Sequence, residues 1–274
     1  MPLAPDFQFS QGVLQDYVDC PRRFQLRHLQ RLAWPAVESE PVLEQERHLR
    51  QGSAFHRLVW QHLCGLDGEV LTAGVHEPEL LRWWHNYRAH EPANLPGHLF
   101  PEVTLAGSVG GFRLVAKYDL LALELGGRAI ILDWKTGRTR PADRWLETRL
   151  QTIVYRYLLA EAGAPLNGGD PLQPEHIRMV YWFAEHPTDP ATLLYDSHRY
   201  QADRRYLERL VGEIAALDEE PLPPTDQERR CAFCCYRALC DRGEVAGQGW
   251  PDDEEPAEEA AFDLDFEQVA EIAF

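Results

Sequence analysis

The clearest pattern in the sequence is a pair of apolar segments between Gly111 and Gly137, which predicts two β-strands. Side chains alternate in character from Leu114 to Leu120, and residues 129–132 form a continuous apolar run. Between them lies Gly126-Gly127, a pair typical of a tight turn. We expect the two segments to form a hairpin around which the rest of the chain is organised.

Apolar periodicity elsewhere predicts helices before this hairpin and both helices and strands after it. Helices are expected at 8–33 (with Ser10 as N-cap and a break at Cys20-Pro21), 44–63, 78–89, 147–162 and 200–217. Strands are expected at 100–108, 177–183 and 191–195, and loops at 35–44, 139–145 and 163–174. This order predicts the α/β class, with a mixed central sheet flanked by helices.

Length and composition indicate a globular protein. The 274 residues are 45% hydrophobic and 11% aromatic, which is enough for a sizeable core. We expect one domain at 1–249 and an acidic tail at 250–274. No apolar run approaches membrane-spanning length, and the N-terminus lacks a basic region followed by an apolar one. A soluble, cytoplasmic protein without membrane contact is therefore expected.

The net charge of −17 by itself argues against nucleic-acid binding, but the charges are unevenly distributed along the chain. Residues 250–274 contain ten acidic residues and no Lys or Arg, so the remainder, with 34 acidic and 27 basic residues, carries −7. The tail is expected to be a solvated end, to dock on a protein partner, or to occupy a DNA groove as a decoy. Arginines cluster in two places, at 22, 23, 27 and 31, and at 138, 140, 144 and 149.

Four charged residues interrupt the predicted hairpin: Lys117, Asp119, Asp133 and Lys135. A carboxylate in a buried strand is costly unless a cation compensates it. Asp133 and Lys135 are two residues apart and share a face. If Asp119 lies across the hairpin on that face, the carboxylates suit Mg²⁺ or Mn²⁺, and the lysine can orient an attacking water. The alternative is an ordinary ion pair at a strand edge.

Two helical pairs add candidates to this site. Gly52 and His56 are one turn apart, as are Gln151 and Tyr155, so each pair shares a helix face. Alone, neither pair distinguishes a site from a core or surface position. The sequence contains neither a Gly-rich phosphate loop nor a dinucleotide fingerprint, so an ATP-driven motor would belong to another chain.

The six cysteines are unevenly distributed. Cys231, Cys234 and Cys240 lie close together near the C-terminal end, and Cys20 follows the first helical segment. In a cytoplasmic protein this density favours metal over disulfides, and Cys20 is the natural fourth ligand. Zinc and an iron–sulfur cluster are both open from the spacing. Cys235 is a competing ligand, and Cys64 is expected to be a small core residue.

Taken in order, these residues resemble the iron–sulfur branch of the RecB-like PD-(D/E)XK nucleases, which includes the AddB nuclease domain and CRISPR-associated spacer-acquisition nucleases. The resemblance rests on a series that covers most of the chain: Cys20, Gly52-Ser53-Ala54-Phe55-His56, Lys117-Tyr118-Asp119, Asp133-Trp134-Lys135-Thr136-Gly137, Gln151-x₃-Tyr155 and Cys231-x₂-Cys234-x₅-Cys240. It differs where relatives often carry an arginine near Lys117, in the extra Cys235, and in the acidic tail.

The resemblance implies a restriction-endonuclease-like fold and specific roles. His56, Asp119, Asp133 and the backbone carbonyl of Trp134 would hold Mg²⁺ or Mn²⁺. Lys135 would position the water or stabilise the phosphate. Gln151 and Tyr155 would brace the site or contact DNA, and Glu102 is a weaker candidate for an extra acidic position. The four cysteines would hold a [4Fe–4S] cluster that joins the segments at about 8–33 and 231–242.

The implied activity is metal-dependent hydrolysis of DNA, acting as a single-strand exonuclease in repair or recombination, with a helicase as an expected partner. One alternative is CRISPR spacer acquisition beside an integrase, and another is a catalytically silent DNA-binding scaffold. Single strands would be held by arginines and by exposed aromatic residues. Trp134, Tyr155 and Trp145 are the candidates, with core packing as the alternative for each.

Overall fold

A computed structural model describes residues 3–4, 6–32, 40–218 and 220–243, and gives only the backbone for 40–46. The predictions for the acidic tail at 250–274, and for the first half of the loop at 35–44, lie outside these residues. Within the described part of the chain, no helix is both long and apolar enough to cross a membrane.

One mixed sheet of six strands forms the centre of the fold. The strands are β1 (Gln8–Phe9), β2 (His98–Val109), β3 (Phe112–Leu123), β4 (Ala129–Lys135), β5 (Ile177–Phe183) and β6 (Ala191–Leu194). One edge of β3 pairs antiparallel with β2. Its other edge pairs parallel with β1 at its start and antiparallel with β4 at its end. The sheet continues with β5 parallel to β4 and β6 antiparallel to β5.

Helices cover both faces of this sheet. They are α1 (Gln11–Asp19), α2 (Pro21–Phe24), α3 (Glu40–Leu63), α4 (Gly68–Ala73), α5 (Pro78–Ala89), α6 (Asp143–Leu146), α7 (Leu150–Ala162) and α8 (Ser197–Ala215). One core packs α1, α7 and α8 against the sheet. The other packs α3, α4 and α5 against the opposite face. The predicted mixed sheet flanked by helices is therefore confirmed.

Local signals in the sequence account for the start and end of α1. The Ser10 side chain accepts a hydrogen bond from the Val13 amide, as an N-cap does. The helix ends at Asp19, and Cys20 is extended, with φ −161°. Pro21 then opens α2, a position where its missing N–H costs nothing. The predicted break at Cys20-Pro21 is confirmed.

The hairpin is confirmed, but its strands separate before β4 ends. Pairing between β3 and β4 runs from Leu123–Ala129 to Leu120–Leu132. Beyond that point β4 stays paired with β5 as far as Lys135 and Phe183. Asp119 and Asp133 therefore follow the last pair on each side of an opening between the two strands.

Several predicted helix and loop boundaries were wrong, because contacts between distant parts of the chain determine them. Helix α6 (143–146) begins within the loop predicted at 139–145, because Leu146 packs in the core and holds this turn against it. The next helix begins at Leu150 rather than at 147. Helix α3 begins at Glu40, within the predicted loop 35–44. Cys64 follows α3 and is exposed, so its prediction as a core residue was wrong.

Candidate active site

A cavity lies where the opening between β3 and β4 meets α3, α7 and the start of α1. Its lining includes most of the candidates from the sequence: His56, Asp119, Asp133, Trp134, Lys135, Gln151 and Tyr155. The first residues of α1 and Glu102 of β2 complete one side. The sheet thus presents its charged strand ends to a space that helices enclose.

His56 and Asp119 meet at the centre of this cavity. His56 Nδ1 on α3 lies 3.2 Å from Asp119 Oδ1 on β3. The other carboxylate oxygen, Oδ2, accepts a hydrogen bond of 2.8 Å from the backbone amide of Trp134. That amide faces Asp119 because β4 has left the pairing with β3. The role predicted for the Trp134 carbonyl stays a prediction.

Glu102 lies close to His56 and Asp119, so it is a stronger candidate metal ligand than the sequence suggested. Possible ligand atoms of His56, Glu102 and Asp119 all lie within 4.8 Å of one another. In the strand register Glu102 falls between Pro101, paired with Leu120, and Val103, paired with Tyr118, and so lies opposite Asp119. Carboxylate oxygens and an imidazole at this separation fit a hard divalent cation.

The backbone at Glu102 is distorted in a way that contributes to this arrangement. Its φ of 56° lies in the left-handed region, which costs a residue other than glycine about 1–3 kcal/mol. Tyr118 and Leu121 are three residues apart but pack in the same core, as do Phe100 and Val103. In a regular strand, two residues three positions apart point to opposite faces of the sheet. Side-chain alternation therefore shifts in both strands where Glu102 faces Asp119.

Asp133, Lys135 and Gln151 form a closed triangle beside the three candidate metal ligands. Lys135 Nζ lies 3.0 Å from Asp133 Oδ2 and donates a 3.0 Å hydrogen bond to Gln151 Oε1. Gln151 Nε2 in turn donates to Asp133 Oδ1 over 2.8 Å. Because an amide has one donor and one acceptor end, Gln151 can satisfy both charged groups at once. The role predicted for Gln151, to brace the site or to contact DNA, stays a prediction.

The two central carboxyls differ in their electrostatics. Burial raises the pKa of Asp133 to about 6, with a further increase from Asp119, although Lys135 acts in the opposite direction. Burial also acts to raise the pKa of Asp119, but His56 and the Trp134 amide outweigh it, so this pKa lies below its usual range. A bound cation would relieve the repulsion between the carboxylates.

Residues behind the triangle were missed from the sequence. The Tyr181 hydroxyl on β5 lies 3.5 Å from Gln151 Oε1 and 2.7 Å from Thr152 Oγ1. The Tyr181 ring also lies 5.6 Å from Lys135 Nζ. The sequence signals available for these positions were the Tyr181 hydroxyl in a largely apolar strand and the Thr152 hydroxyl next to Gln151.

Tyr155 and Gly52 support the cavity from two helices. Tyr155 is buried, with its ring 4.8 Å from that of Tyr118. Its backbone carbonyl accepts a 2.9 Å hydrogen bond from the Tyr118 hydroxyl. A Cβ at Gly52 would meet Thr136 Oγ1 at 3.0 Å, so glycine there lets α3 lie close to the residue after β4. His56 reaches the cavity from that closely packed helix.

The three aromatic candidates separate by burial. Trp134 is buried among Tyr87 and Trp182, so its prediction as a DNA-stacking residue was wrong: alternation along β4 turns it to the face opposite Asp133. Tyr155 is also buried. Trp145 is 47% exposed and remains available to a ligand.

The segments that carry the cysteines pack against each other. The Tyr236 hydroxyl donates to the Leu32 carbonyl over 2.8 Å, and Arg230 forms an ion pair with Asp19. Burial raises the pKa of Cys231 and of Cys240, and the proximity of Cys20 adds to both increases. Burial raises the pKa of Cys234 to about 12. Four thiols drawn from two adjoining segments are chemically suited to an iron–sulfur cluster or zinc.

Comparisons with known proteins identify a family and a similar fold. A sequence model described as the PD-(D/E)XK nuclease superfamily matches residues 8–241. A protein from Eubacterium rectale, proposed to be an exonuclease, has a similar structure: the TM-score is 0.52 at 12% identity, over 92% of this chain and 91% of that one. The crystal structure of SSO0001 matches with a TM-score of 0.39 at 15% identity, over 85% of each chain. No curated protein sequence matches.

Proposed function

Because the chain belongs to the PD-(D/E)XK nuclease superfamily, we propose that it is a metal-dependent deoxyribonuclease that removes nucleotides from single-stranded DNA ends. The superfamily accounts for phosphodiester hydrolysis, DNA binding and the use of a divalent metal. The single-strand preference, exonucleolytic cleavage and a role in cytoplasmic DNA repair or recombination are the specific proposal. The observation that carries the metal-dependent nuclease activity is the group of His56, Glu102 and Asp119 beside the Asp133–Lys135–Gln151 triangle.

His56, Asp119 and Asp133 would hold Mg²⁺ or Mn²⁺, together with the Trp134 carbonyl, and Glu102 is positioned to join them. The cation would supply positive charge to the phosphate and lower the pKa of a bound water. Lys135, held by Asp133 and Gln151, points an ammonium at the same space and would orient water or stabilise charge on phosphate. Tyr155 and Tyr181 keep this group in place.

We further propose that Cys20, Cys231, Cys234 and Cys240 hold a [4Fe–4S] cluster with a structural role, within a single nuclease domain at 1–249. The packing of Tyr236 on Leu32 and of Arg230 on Asp19 supports this, because it brings the two cysteine segments together. Zinc at the same thiols is the alternative. The absorbance spectrum of anaerobically purified protein distinguishes them, since zinc is colourless.

The test of the activity is cleavage of end-labelled single- and double-stranded DNA with Mg²⁺ or Mn²⁺, comparing wild type with Lys135→Ala. We expect the variant to lose roughly 100- to 1,000-fold in rate, as when one group that stabilises transition-state charge is removed. Arg209→Ala on α8, whose side chain is 63% exposed, is the matched loss of a cation outside the cavity and should cleave normally.

The outcomes distinguish a nuclease from a catalytically silent scaffold. Absence of cleavage by folded, cluster-containing, metal-supplied wild type would favour the scaffold. Cleavage that persists in Lys135→Ala would mean that the site is elsewhere or that the activity is a contaminant. Comparing DNA labelled at the 5′ end with DNA labelled at the 3′ end gives the polarity of digestion, because the end that is digested first releases its label first.

A further inference from the structure

An exposed tryptophan lies on α6, a single helical turn that precedes α7. Trp145 is 47% exposed, whereas the next residue, Leu146, is buried in the core. The Leu146 carbonyl accepts a 2.6 Å hydrogen bond from Thr152 Oγ1, and the same hydroxyl lies 2.7 Å from the Tyr181 hydroxyl. The turn that carries Trp145 is thus tied to the residues behind Gln151.

The segment between β4 and this turn is anchored as well. The guanidinium of Arg140 lies 5.6 Å from the centre of the Phe183 ring, and its Nε donates to the Asp189 carbonyl over 3.3 Å. Phe183 is the β5 partner of Lys135. The segment that leads into α6 is therefore held against the strand that pairs with β4 at Lys135.

Arg149, at the N-cap of α7, packs on the tryptophan. Its guanidinium lies 4.4 Å from the centre of the Trp145 ring. Its charge also acts to lower the pKa of Tyr181, which burial raises. The Tyr181 ring in turn lies 5.6 Å from Lys135 Nζ.

We propose that Trp145 and Arg149 form a platform for single-stranded DNA, on which an unpaired base stacks on Trp145 while Arg149 neutralises a neighbouring phosphate. This inference rests on the proposed nuclease function. An indole face beside a guanidinium is the combination that binds nucleic-acid strands without reading their sequence. A base inside a duplex is already stacked on both sides, so the platform selects unpaired strands.

The first measurement is the affinity of full-length protein for a fluorescent oligothymidine, with Ca²⁺ replacing Mg²⁺ to prevent turnover. Trp145→Ala should weaken binding roughly 5- to 100-fold, the range for losing one base–aromatic stack. Trp145→Phe should retain most of the affinity. Arg209→Ala is the control, because Arg209 forms a similar pair with Tyr206 on α8, at 5.4 Å, away from the cavity.

The second measurement locates the stacked base. A single abasic site is moved along the oligonucleotide, and wild type should bind weakly when it falls at one position relative to the cleaved bond. In Trp145→Ala that sensitivity should disappear, because the abasic site and the mutation remove the same contact. In cleavage assays with Mg²⁺, Trp145→Ala should raise KM for single strands while kcat changes less than about three-fold.

Failure of this inference is distinguishable from failure of the proposed function. If wild type cleaves DNA and Trp145→Ala binds and cleaves single strands equally well, the platform is wrong and the nuclease stands. An equal loss on single strands and on blunt duplexes would also overturn it. If wild type does not cleave but its binding depends on Trp145 and on one base position, the platform stands and the nuclease is wrong.

Discussion

Asp119 and Asp133 have the same side chain and lie on neighbouring strands, yet their surroundings shift their pKa values in opposite directions. Asp119 accepts the Trp134 amide and faces His56, and both stabilise its charged form. Asp133 is more completely buried, and the cost of desolvating its charge exceeds the benefit of Lys135. Opposed shifts in adjoining carboxyls are typical of functional sites.

A second buried carboxyl, outside the cavity, leads to a prediction about pH. Asp203 on α8 lies 3.7 Å from Arg156, which is 2% exposed and also bonds Glu147. Burial raises the pKa of Asp203 to about 6, and Arg156 only partly offsets this. Between pH 4 and pH 6 the folded protein therefore binds more protons at this position than the unfolded chain does. This group should make the free energy of unfolding fall as pH rises through that range, by at most about 3 kcal/mol.

Chemical denaturation of wild type and Asp203→Asn from pH 4 to pH 7.5 measures this effect. Asparagine cannot ionise, so the variant should show a smaller decrease in stability over that range. Asp170→Asn, at an exposed loop position, is the control and should retain the wild-type slope. Parallel curves for wild type and Asp203→Asn would contradict the prediction.

At the scale of elements, the approach of α3 to the end of β4 determines where His56 lies. Gly52 is one turn before His56, and a Cβ at Gly52 would meet Thr136 Oγ1 at 3.0 Å. Thr136 is 2% exposed and has little room to move. Glycine at position 52 therefore sets the separation of α3 from the end of β4.

Matched glycine-to-alanine substitutions test this role. In α8 a Cβ at Gly212 would meet nothing within 4 Å, so Gly212→Ala should raise the free energy of unfolding by about 0.5–1 kcal/mol. Gly52→Ala should lack this gain and should weaken Mn²⁺ binding, because α3 must shift. Urea denaturation and Mn²⁺ titration measure the two effects. Equal stabilisation by both substitutions, with unchanged Mn²⁺ affinity, would show that the contact is unimportant.

At the scale of the whole molecule, α1 connects the two proposed metal sites. Ser10, which lines the catalytic cavity, caps its first turn, and Cys20 lies at its other end. The C-terminal segment packs on the chain just beyond, where Gln25 Nε2 donates to the Glu220 carbonyl over 3.0 Å. Loss of the cysteine site should therefore loosen the contact between the ends of the fold.

Cys20→Ser tests this connection. The serine oxygen can still accept the Arg23 amide, as Cys20 Sγ does at 3.4 Å, so the helix cap is kept and only the proposed ligand is lost. We expect the iron–sulfur absorbance to fall and the melting temperature to drop by roughly 10 °C, or about 3–4 kcal/mol. Cys64→Ser, at an exposed cysteine, should change neither property. An unchanged spectrum in Cys20→Ser would exclude Cys20 as a ligand.

Much of the architecture follows from local sequence signals. The Ser10 cap, the Cys20-Pro21 break and the charged residues in the hairpin could all be identified because each depends on neighbours within a few positions. Alternation placed Asp133 and Lys135 on one face for the same reason. The length and order of the apolar segments were enough to predict a mixed sheet flanked by helices.

Other features were decided only by tertiary structure, because they depend on residues far apart in the chain. The separation of β4 from β3 brings the Trp134 amide to Asp119, and the distorted backbone at Glu102 places a third carboxylate beside them. Burial distinguishes Trp134 in the core from Trp145 at the surface, although both are tryptophans near charged residues. The sequence by itself determined which chemical groups are present and the strands and helices that carry them; packing determined their distances, exposure and pKa values, since these depend on what each side chain meets across the fold.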